Sequence, residues 1–342
     1  MERDTRASGM PGRPVGRWRT VHLFPGQGDF SVGALVRAVH ADPSIRTAAE
    51  QVFEAIDGVA RERGLRPLGP WLLGPTPPTA RELAGEAVGT AQLALFGASM
   101  TVHQALCGAH GLPLAVVGVS FGEIAALTAA GVLTLDDGAR AAHDLARVLS
   151  ACSGGLTLLS CPERTARELI DAAGAPDPVD PVDPMGVVVA VVNDDRSVVV
   201  AGSVVGLARV EKAAAEAGVA AVRLRLPFTS HHPALQAESE EFAEAVRAYH
   251  RAEARFPVHS AVAGRAYTAA DDLPRRLADC LVRPARVPEV LRQVALCEPD
   301  AVFEAGTGSA LASSARAVLS RHPTLVRAPL AEPGALSQRP SR

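Results

Sequence analysis

The chain has 342 residues, of which 48% are hydrophobic and 21% charged, and its formal net charge is -3. This composition can bury a large core, and the near-neutral charge without basic or acidic blocks excludes a charge-driven nucleic-acid partner. Five scattered cysteines without a CxxC pair predict reduced thiols, a cytoplasmic protein and no metal site.

The two ends of the chain differ from the rest in composition. Residues 1–18 carry charges without an apolar core, so we expect a disordered segment that is not a signal peptide. Residues 331–342 predict a flexible tail. The longest apolar runs, such as 187–192, are too short to span a bilayer, so no membrane partner is expected.

The first part of the chain alternates strand and helix patterns. A strand is predicted over Val21–Phe24 and stops at a Pro-Gly-Gln-Gly loop, and a long helix is predicted over Thr90–Cys107. A strand at 115–118 leads into a glycine-flanked turn and another helix. Asp136 and Asp137 open the following helix, where acidic residues suit the positive helix end.

Residues 156–226 change character. The pattern there reads strand, helix, strand, strand, helix, strand, with a proline-rich loop at 176–184 and a last strand over 220–226. This order is the ferredoxin-like one. We therefore predict an α/β protein in which a ferredoxin-like small domain, 156–226, is inserted into a large domain formed by 19–155 and 227–330.

The turn at Gly118-Val119-Ser120-Phe121-Gly122 has the G-x-S-x-G pattern of a strained strand-to-helix elbow. Such an elbow exposes a serine nucleophile, although an ordinary buried connection has the same pattern. A serine hydroxyl needs a base, and His231 is the best candidate, with its neighbour His232 as the rival.

Acyl chemistry at a serine also needs donors for the oxyanion. The backbone amide of Phe121, at the start of a helix, is one candidate. The Pro-Gly-Gln-Gly loop offers the Gln27 amide as a second, but a plain tight turn has the same sequence.

Several motifs occur together in a recognisable order. They are LFPGQGDF, TAQLALF, GVSFGEIAALTAAGVLTLDDGAR, VVNDDRSVVVAGS, FTSHHPAL, LADCLVRPARV and FEAGTGSAL. From about Val21 to Leu330 the chain resembles the malonyl-CoA:ACP transacylase-like acyltransferases. The resemblance implies an α/β-hydrolase-like large domain with a ferredoxin-like insertion, and transfer through an acyl-serine.

The resemblance also implies roles for individual residues. Ser120 is the nucleophile, His231 the base, and the amides of Gln27 and Phe121 the oxyanion hole. Pocket positions fall on Gln92, Val119, Leu145, Asn193, Phe228 and Ser230. Cys280 falls where a backbone carbonyl orients the histidine. No cofactor is expected, and acyl-CoA or a phosphopantetheinyl carrier protein serves as acyl donor or acceptor.

Two positions depart from the family. Val119 replaces the histidine that usually precedes the nucleophile, a position without an obligatory chemical role. Leu145 falls where an arginine usually binds the substrate carboxylate, and Arg147 lies two helical residues further on, about 200° around the helix. The sequence therefore predicts a pocket for an acyl group without a terminal carboxylate.

Four functions follow from these residues. The first is an acyltransferase of polyketide biosynthesis, and the second is an editing hydrolase of acyl carrier proteins. Ordinary malonyl transfer and an inactive scaffold are the others. An acidic carrier protein is expected to dock on arginines. The candidates are Arg223, Arg225, Arg275, Arg276 and Arg283.

Overall fold

A computed structural model describes residues 18–28, 30–174 and 185–332. The predicted proline-rich loop at 176–184 lies outside these ranges, as do residues 1–17 and 333–342 of the predicted terminal segments. Trp18, at the end of the predicted N-terminal segment, stacks on Phe303 and His110.

The described residues form eleven strands. They are β1 (Thr20–Phe24), β2 (Ala115–Gly118), β3 (Gly155–Leu159), β4 (Val188–Asp194), β5 (Ser197–Gly202), β6 (Ala221–Arg223), β7 (Val258–Ser260), β8 (Arg265–Ala266), β9 (Ala285–Arg286), β10 (Ala301–Glu304) and β11 (Leu325–Arg327).

Thirteen α-helices complete the described part of the chain, together with a short 3₁₀-helix at Pro233–Leu235. They are α1 (Val32–Ala41), α2 (Pro43–Glu62), α3 (Gly69–Leu72), α4 (Ala80–Ala84), α5 (Thr90–His110), α6 (Gly122–Ala129), α7 (Leu135–Leu149), α8 (Glu163–Ala172), α9 (Val204–Glu216), α10 (Gln236–Arg247), α11 (Leu273–Val282), α12 (Val287–Ala295) and α13 (Ala310–Val318).

The larger sheet has the strand order β11-β10-β1-β2-β7-β8. All of its neighbouring strands are parallel except β7 and β8, which are antiparallel. Strands β1 and β2 lie side by side near its centre, so the loops that follow their carboxyl ends meet at one edge of the sheet. This topology places the Pro-Gly-Gln-Gly loop beside the Ser120 elbow.

The second sheet has the order β6-β3-β5-β4-β9. Its first four strands have the pairing of a ferredoxin-like unit, and they are antiparallel throughout. Strand β9 then adds in parallel to β4. The predicted fold class, an α/β large domain with an inserted ferredoxin-like unit, is confirmed. The domain boundaries at 156 and 226 stay predictions.

Of two elements predicted from the sequence, a long helix is present and a strand is shorter than expected. Helix α5 spans Thr90–His110 and is buried on most of its faces, which explains its many alanines and leucines. The strand predicted over 220–226 is shorter, because β6 ends at Arg223. The Leu224 N–H still donates to the Leu156 carbonyl oxygen of β3 at 2.9 Å, and the side chains of Leu224 and Leu226 line a cavity.

Within the residues described, no helix is both long enough and apolar enough to cross a membrane.

Candidate active site

Ser120 lies in a strained turn between β2 and α6. Its φ of +55° falls in the left-handed region, which residues with a side chain adopt rarely. The flanking glycines make the turn possible, since a Cβ on Gly118 would lie 2.5 Å from the Cα of Glu123. A Cβ on Gly122 would lie 2.1 Å from the carbonyl oxygen of Phe24. The elbow predicted from the sequence is therefore present.

Glu123 ties the elbow to the neighbouring strands. Its fully buried carboxyl accepts hydrogen bonds from Ser260 Oγ at 2.7 Å and from the Tyr267 hydroxyl. Burial raises the pKa of this carboxyl to about 7. The first turn of α6 is thereby held against β7 and β8. The sequence analysis missed this role, because the partners are more than 130 residues away.

His231 faces the serine. Its Nε2 lies 2.8 Å from Ser120 Oγ, and its Nδ1 lies 2.7 Å from the carbonyl oxygen of Arg283. A carbonyl can only accept, so Nδ1 carries the hydrogen and Nε2 presents its lone pair. Ser120 therefore donates its hydroxyl hydrogen to His231. This is the arrangement in which an imidazole can act as general base.

Burial keeps the His231 ring neutral. The residue is 2% exposed, and desolvation lowers its pKa to about 4, while the bond to Arg283 opposes that shift. Its backbone is also strained, with a φ of +57°. Both residues of the pair thus occupy conformations that the surrounding structure must enforce.

The rival histidine turns away from the serine. His232 Nε2 lies 2.8 Å from the carbonyl oxygen of Gly186, and its Nδ1 accepts from the Ala234 N–H at 3.2 Å. Both ring nitrogens are therefore engaged in joining this loop to the segment before β4. The two neighbouring rings therefore have different partners.

The predicted role of Cys280 is wrong. The carbonyl that orients His231 belongs to Arg283, three residues later, where α11 has ended and the chain is extended. Cys280 lies inside α11 and is 3% exposed. A carbonyl within a helix is directed along the helix axis, whereas one beyond the helix end can point sideways at the imidazole.

The proposed oxyanion donors lie beside Ser120. The loop approaches closely, since a Cβ on Gly26 would lie 3.7 Å from the Cβ of Ser120. Phe121 is the N-cap of α6. In the part of the chain that is described, neither the Gln27 N–H nor the Phe121 N–H donates a hydrogen bond. Both are available to a ligand oxygen.

A cavity of about 230 Å³ opens at the serine. The structure places Gln27, Val119, Asn193, Phe228 and Ser230 on its lining, together with Ser120 and His231. Most residues of the apolar wall of this cavity were not predicted from the sequence. That wall includes Leu156, Leu158, Val191, Val199, Leu224, Leu226 and Leu311.

One row of this wall crosses the second sheet. Leu158 pairs with Val199, and Val199 pairs with Val191, so the three side chains share one face. The alternation along these strands could have indicated a shared face. It could not have indicated that this face meets the cavity of Ser120.

Two predicted pocket residues lie elsewhere. Leu145 is 2% exposed in α7 and belongs to the main core rather than the cavity lining. Gln92 is also absent from the lining, and its Nε2 donates to Gln27 Oε1 at 2.9 Å. Gln92 therefore supports the loop of Gln27 from behind.

Arg147 does not replace the missing arginine. It makes an ion pair with Glu241 at 2.6 Å on the surface, where both side chains are half exposed. Among the described residues, the cavity lining contains neither arginine nor lysine. A carboxylate inside this cavity would have no cation to bind.

Three of the predicted docking arginines share one surface cleft. Arg275, Arg276 and Arg283 line it between α10 and α11, and the cleft measures about 110 Å³. Since the Arg283 carbonyl holds His231, this cleft adjoins the candidate base. Glu240 and Asp279 also line it, and Asp279 pairs with Arg283 at 3.5 Å. Arg276 also pairs with Asp271 at 3.1 Å.

The other two docking candidates differ from each other. Arg223 is engaged with Glu211 at 2.7 Å, whereas the side chain of Arg225 is exposed. Arg225 is the member of this pair that is open to a partner.

The fold brings together a group of histidine and cysteine side chains that are far apart in the sequence, and the absence of a metal site stays a prediction. His22, His103 and Cys107 place one potential ligand atom each within 4.8 Å of one another. Their spacing in the sequence hides the group, because His22 comes from β1 and the others from α5.

A serine on a strained elbow, a neutral buried histidine and two available amides form the kind of site that serine acyl-transfer enzymes and hydrolases use. The Acyl transferase domain family matches residues 24–329, and the chain belongs to that family.

Relatives show where this domain occurs. The chain is 31% identical over 260 residues to the spectinabilin polyketide synthase system protein NorA' of Streptomyces orinoci. The aligned region covers 74% of this chain and 6% of that protein. The chain thus spans a small part of this relative.

Solved structures agree with the fold. The acyltransferase domain from module 8 of the salinomycin polyketide synthase matches with a TM-score of 0.75 and 25% identity, over 92% of this chain and 71% of that one. A malonyl-transacylase solved with its type II polyketide synthase acyl carrier protein matches with a TM-score of 0.76 and 20% identity. That match covers 92% of this chain and 96% of the other.

Proposed function

We propose that this protein is an acyltransferase of polyketide biosynthesis that carries a non-carboxylated acyl group on Ser120. The acyl group passes between thioesters of coenzyme A and of an acyl carrier protein. The observation that carries the substrate class is the apolar cavity, whose described lining holds no cation.

The geometry supports a two-step transfer. His231 Nε2 accepts the Ser120 proton while Oγ forms a bond to the thioester carbonyl carbon. The carbonyl oxygen becomes an oxyanion that the Gln27 and Phe121 N–H groups stabilise. The C–S bond then breaks, and His231 returns the proton to the departing thiol. A second thiol attacks the acyl-serine by the same steps in reverse.

The cavity discriminates between acyl groups by charge. Burying an unpaired carboxylate against leucine and valine side chains costs several kcal/mol, which corresponds to about a thousandfold in affinity. An alkyl acyl chain gains free energy on the same wall, at about 0.8 kcal/mol for each buried CH₂ group.

Intact-protein mass spectrometry with acetyl, butyryl and malonyl thioesters tests this proposal. We expect acetyl and butyryl adducts on the wild type to form about a thousandfold faster than the malonyl adduct. The matched control is Arg147→Ala, which removes a surface ion pair and should leave this ratio unchanged. If the wild type instead forms the malonyl adduct faster than the others, the proposal is contradicted. If Arg147→Ala then loses this preference for malonyl, Arg147 is the residue that binds the carboxylate.

The fate of the adduct separates transfer from hydrolysis. When fresh carrier protein is added to the isolated acyl-enzyme, we expect most of the acyl group to be found as a thioester on the carrier protein. Free acid as the main product would instead assign the editing hydrolase activity, because water would then be the second acceptor.

The pH dependence of acylation follows from the state of His231. Only the neutral ring accepts the serine proton, and its pKa is lowered to about 4. We therefore expect the acylation rate to stay level from about pH 8 to 5 and to halve near pH 4, as measured by quenched mass spectrometry. A half-maximum near 6.5, the usual value for histidine, would contradict this.

Circular dichroism at each pH is the control for unfolding. A buried histidine with a lowered pKa binds a proton more readily in the unfolded chain, so stability falls as the pH drops below about 6.5. Acylation rates are therefore compared only at pH values where the far-ultraviolet circular dichroism spectrum is unchanged.

The carrier protein is the proposed partner. A likeness in fold to a transacylase solved with its carrier protein supports this partner, and so do the arginines beside His231. Arg225, Arg275, Arg276 and Arg283 are the proposed docking residues, since an acidic carrier would be attracted to their guanidinium groups.

A further inference from the structure

A second group of chemically active side chains lies under the larger sheet, apart from the Ser120 cavity. His22 belongs to β1, and its side chain meets His103 and Cys107 from α5. His103 and Cys107 are four residues apart, so they lie on the same face of the helix. Histidine pairs at this helical spacing are common metal ligands in enzymes.

The distances between the donor atoms are close to those of a tetrahedral zinc site. His22 Nδ1 lies 2.9 Å from His103 Nδ1, and Cys107 Sγ lies 3.9 Å from His103 Nδ1 and 3.6 Å from His103 Nε2. All three donor groups lie within 4.8 Å of one another. Zinc bonds to nitrogen and sulfur imply separations of about 3.3 Å and about 3.6 Å in a tetrahedron. Shifts of a few tenths of an ångström would bring these two pairs into that geometry.

The surroundings hold the two imidazoles in place. Both histidines are buried. His22 Nε2 lies 3.2 Å from Thr20 Oγ1, which orients the ring so that Nδ1 faces His103. A partner on the far nitrogen is typical of metal-binding histidines.

A cavity of about 690 Å³ reaches the same group. His103 and Cys107 are on its lining, as are Gln104 and Arg255. Gln104 Oε1 is buried and makes no hydrogen bond to any described residue. The cavity is therefore polar enough for water, which can approach the two ligands on α5.

We propose that His22, His103 and Cys107 bind one Zn²⁺ ion, with water from the adjoining cavity as the fourth ligand. The Zn–S bond forms as the Cys107 thiol loses its proton to solvent. The ion would join β1 to α5. The same two elements lead to the Gln27 loop and carry Gln92, which meet at 2.9 Å. Acyl transfer at Ser120 needs no metal, so this site would be structural.

Zinc titration of the full chain, purified without a histidine tag and stripped with a chelator, tests the site. Against a colorimetric zinc chelator we expect one Zn²⁺ per chain, with a Kd of about 1 µM or tighter. Cys107→Ala should weaken binding at least about 100-fold. Cys297→Ala removes an exposed thiol elsewhere and should leave it unchanged.

Cobalt substitution gives a spectroscopic readout that does not depend on activity. Co²⁺ bound to the wild type should show a thiolate-to-cobalt charge-transfer band in the near ultraviolet, and Cys107→Ala should lack it. Equal zinc affinity of wild type and Cys107→Ala, or a cobalt spectrum without the thiolate band, would overturn the proposal. If Cys107→Ala fails to fold, the wild-type cobalt spectrum decides alone.

Discussion

Replacing Ser120 with alanine is expected to abolish the acyl adduct and to slow acyl transfer by about 10⁴-fold or more. The variant keeps the cavity, the His231 ring and both backbone amides, but it has no atom that can form the acyl bond. Mass spectrometry measures the adduct, and the rate of thioester exchange measures transfer. The residual rate then reports what binding and the amides contribute without the nucleophile.

The control for this variant is Ser313→Ala, which removes an exposed hydroxyl on α13. It should retain both adduct and rate. An adduct that persists in Ser120→Ala would place the nucleophile elsewhere. A wild type that forms no adduct with any donor would instead support the inactive scaffold.

Gly122→Ala is expected to destabilise the fold by more than about 3 kcal/mol and to remove most of the activity. The added Cβ would lie 2.1 Å from the carbonyl oxygen of Phe24, which is backbone and cannot rotate away. Relief requires β1 and α6 to separate, and that movement displaces Ser120 from His231. Urea denaturation followed by circular dichroism gives the change in stability.

The matched control is Gly58→Ala in α2, where an added Cβ meets nothing within 4 Å. Alanine at such a helical site should stabilise the protein by up to about 1 kcal/mol. If Gly122→Ala were as stable and active as this control, the elbow would not depend on the contact between α6 and β1.

The fold was largely predictable from local patterns. The long helix at Thr90–Cys107, the strand-turn-helix at Ser120 and the ferredoxin-like order each depend on residues close together in the sequence. The length of β6 was overestimated, because alternating residues through Leu226 suit a strand and a cavity wall equally well. The addition of β9 to β4 was missed, since two residues such as Ala285 and Arg286 have no detectable period.

In the site, too, the local motifs were predictable and the long-range contacts were not. Ser120 and His231 carry short motifs, and their geometry agrees with the prediction. The errors at Leu145 and Cys280 arose because counting along a chain gives a position but not a direction. Two kinds of group come together only through the tertiary fold. They are the side chains that line the cavity from the second sheet, and the three potential metal ligands from β1 and α5.

The group that orients His231 has a consequence for the leaving group. The Arg283 carbonyl is neutral, so it aligns the imidazole but adds no counter-charge to the imidazolium that forms during transfer. Such a base suits substrates whose leaving group departs with little proton donation. A thiolate meets that condition, because a thiol has a pKa near 8.5, whereas an alkoxide is far more basic. Departure of the thiol from the donor therefore needs little help from His231, whereas release of the acyl group from Ser120 still requires the imidazolium to return its proton to Oγ. No change of the side chain at position 283 would remove the oxygen that aligns the base.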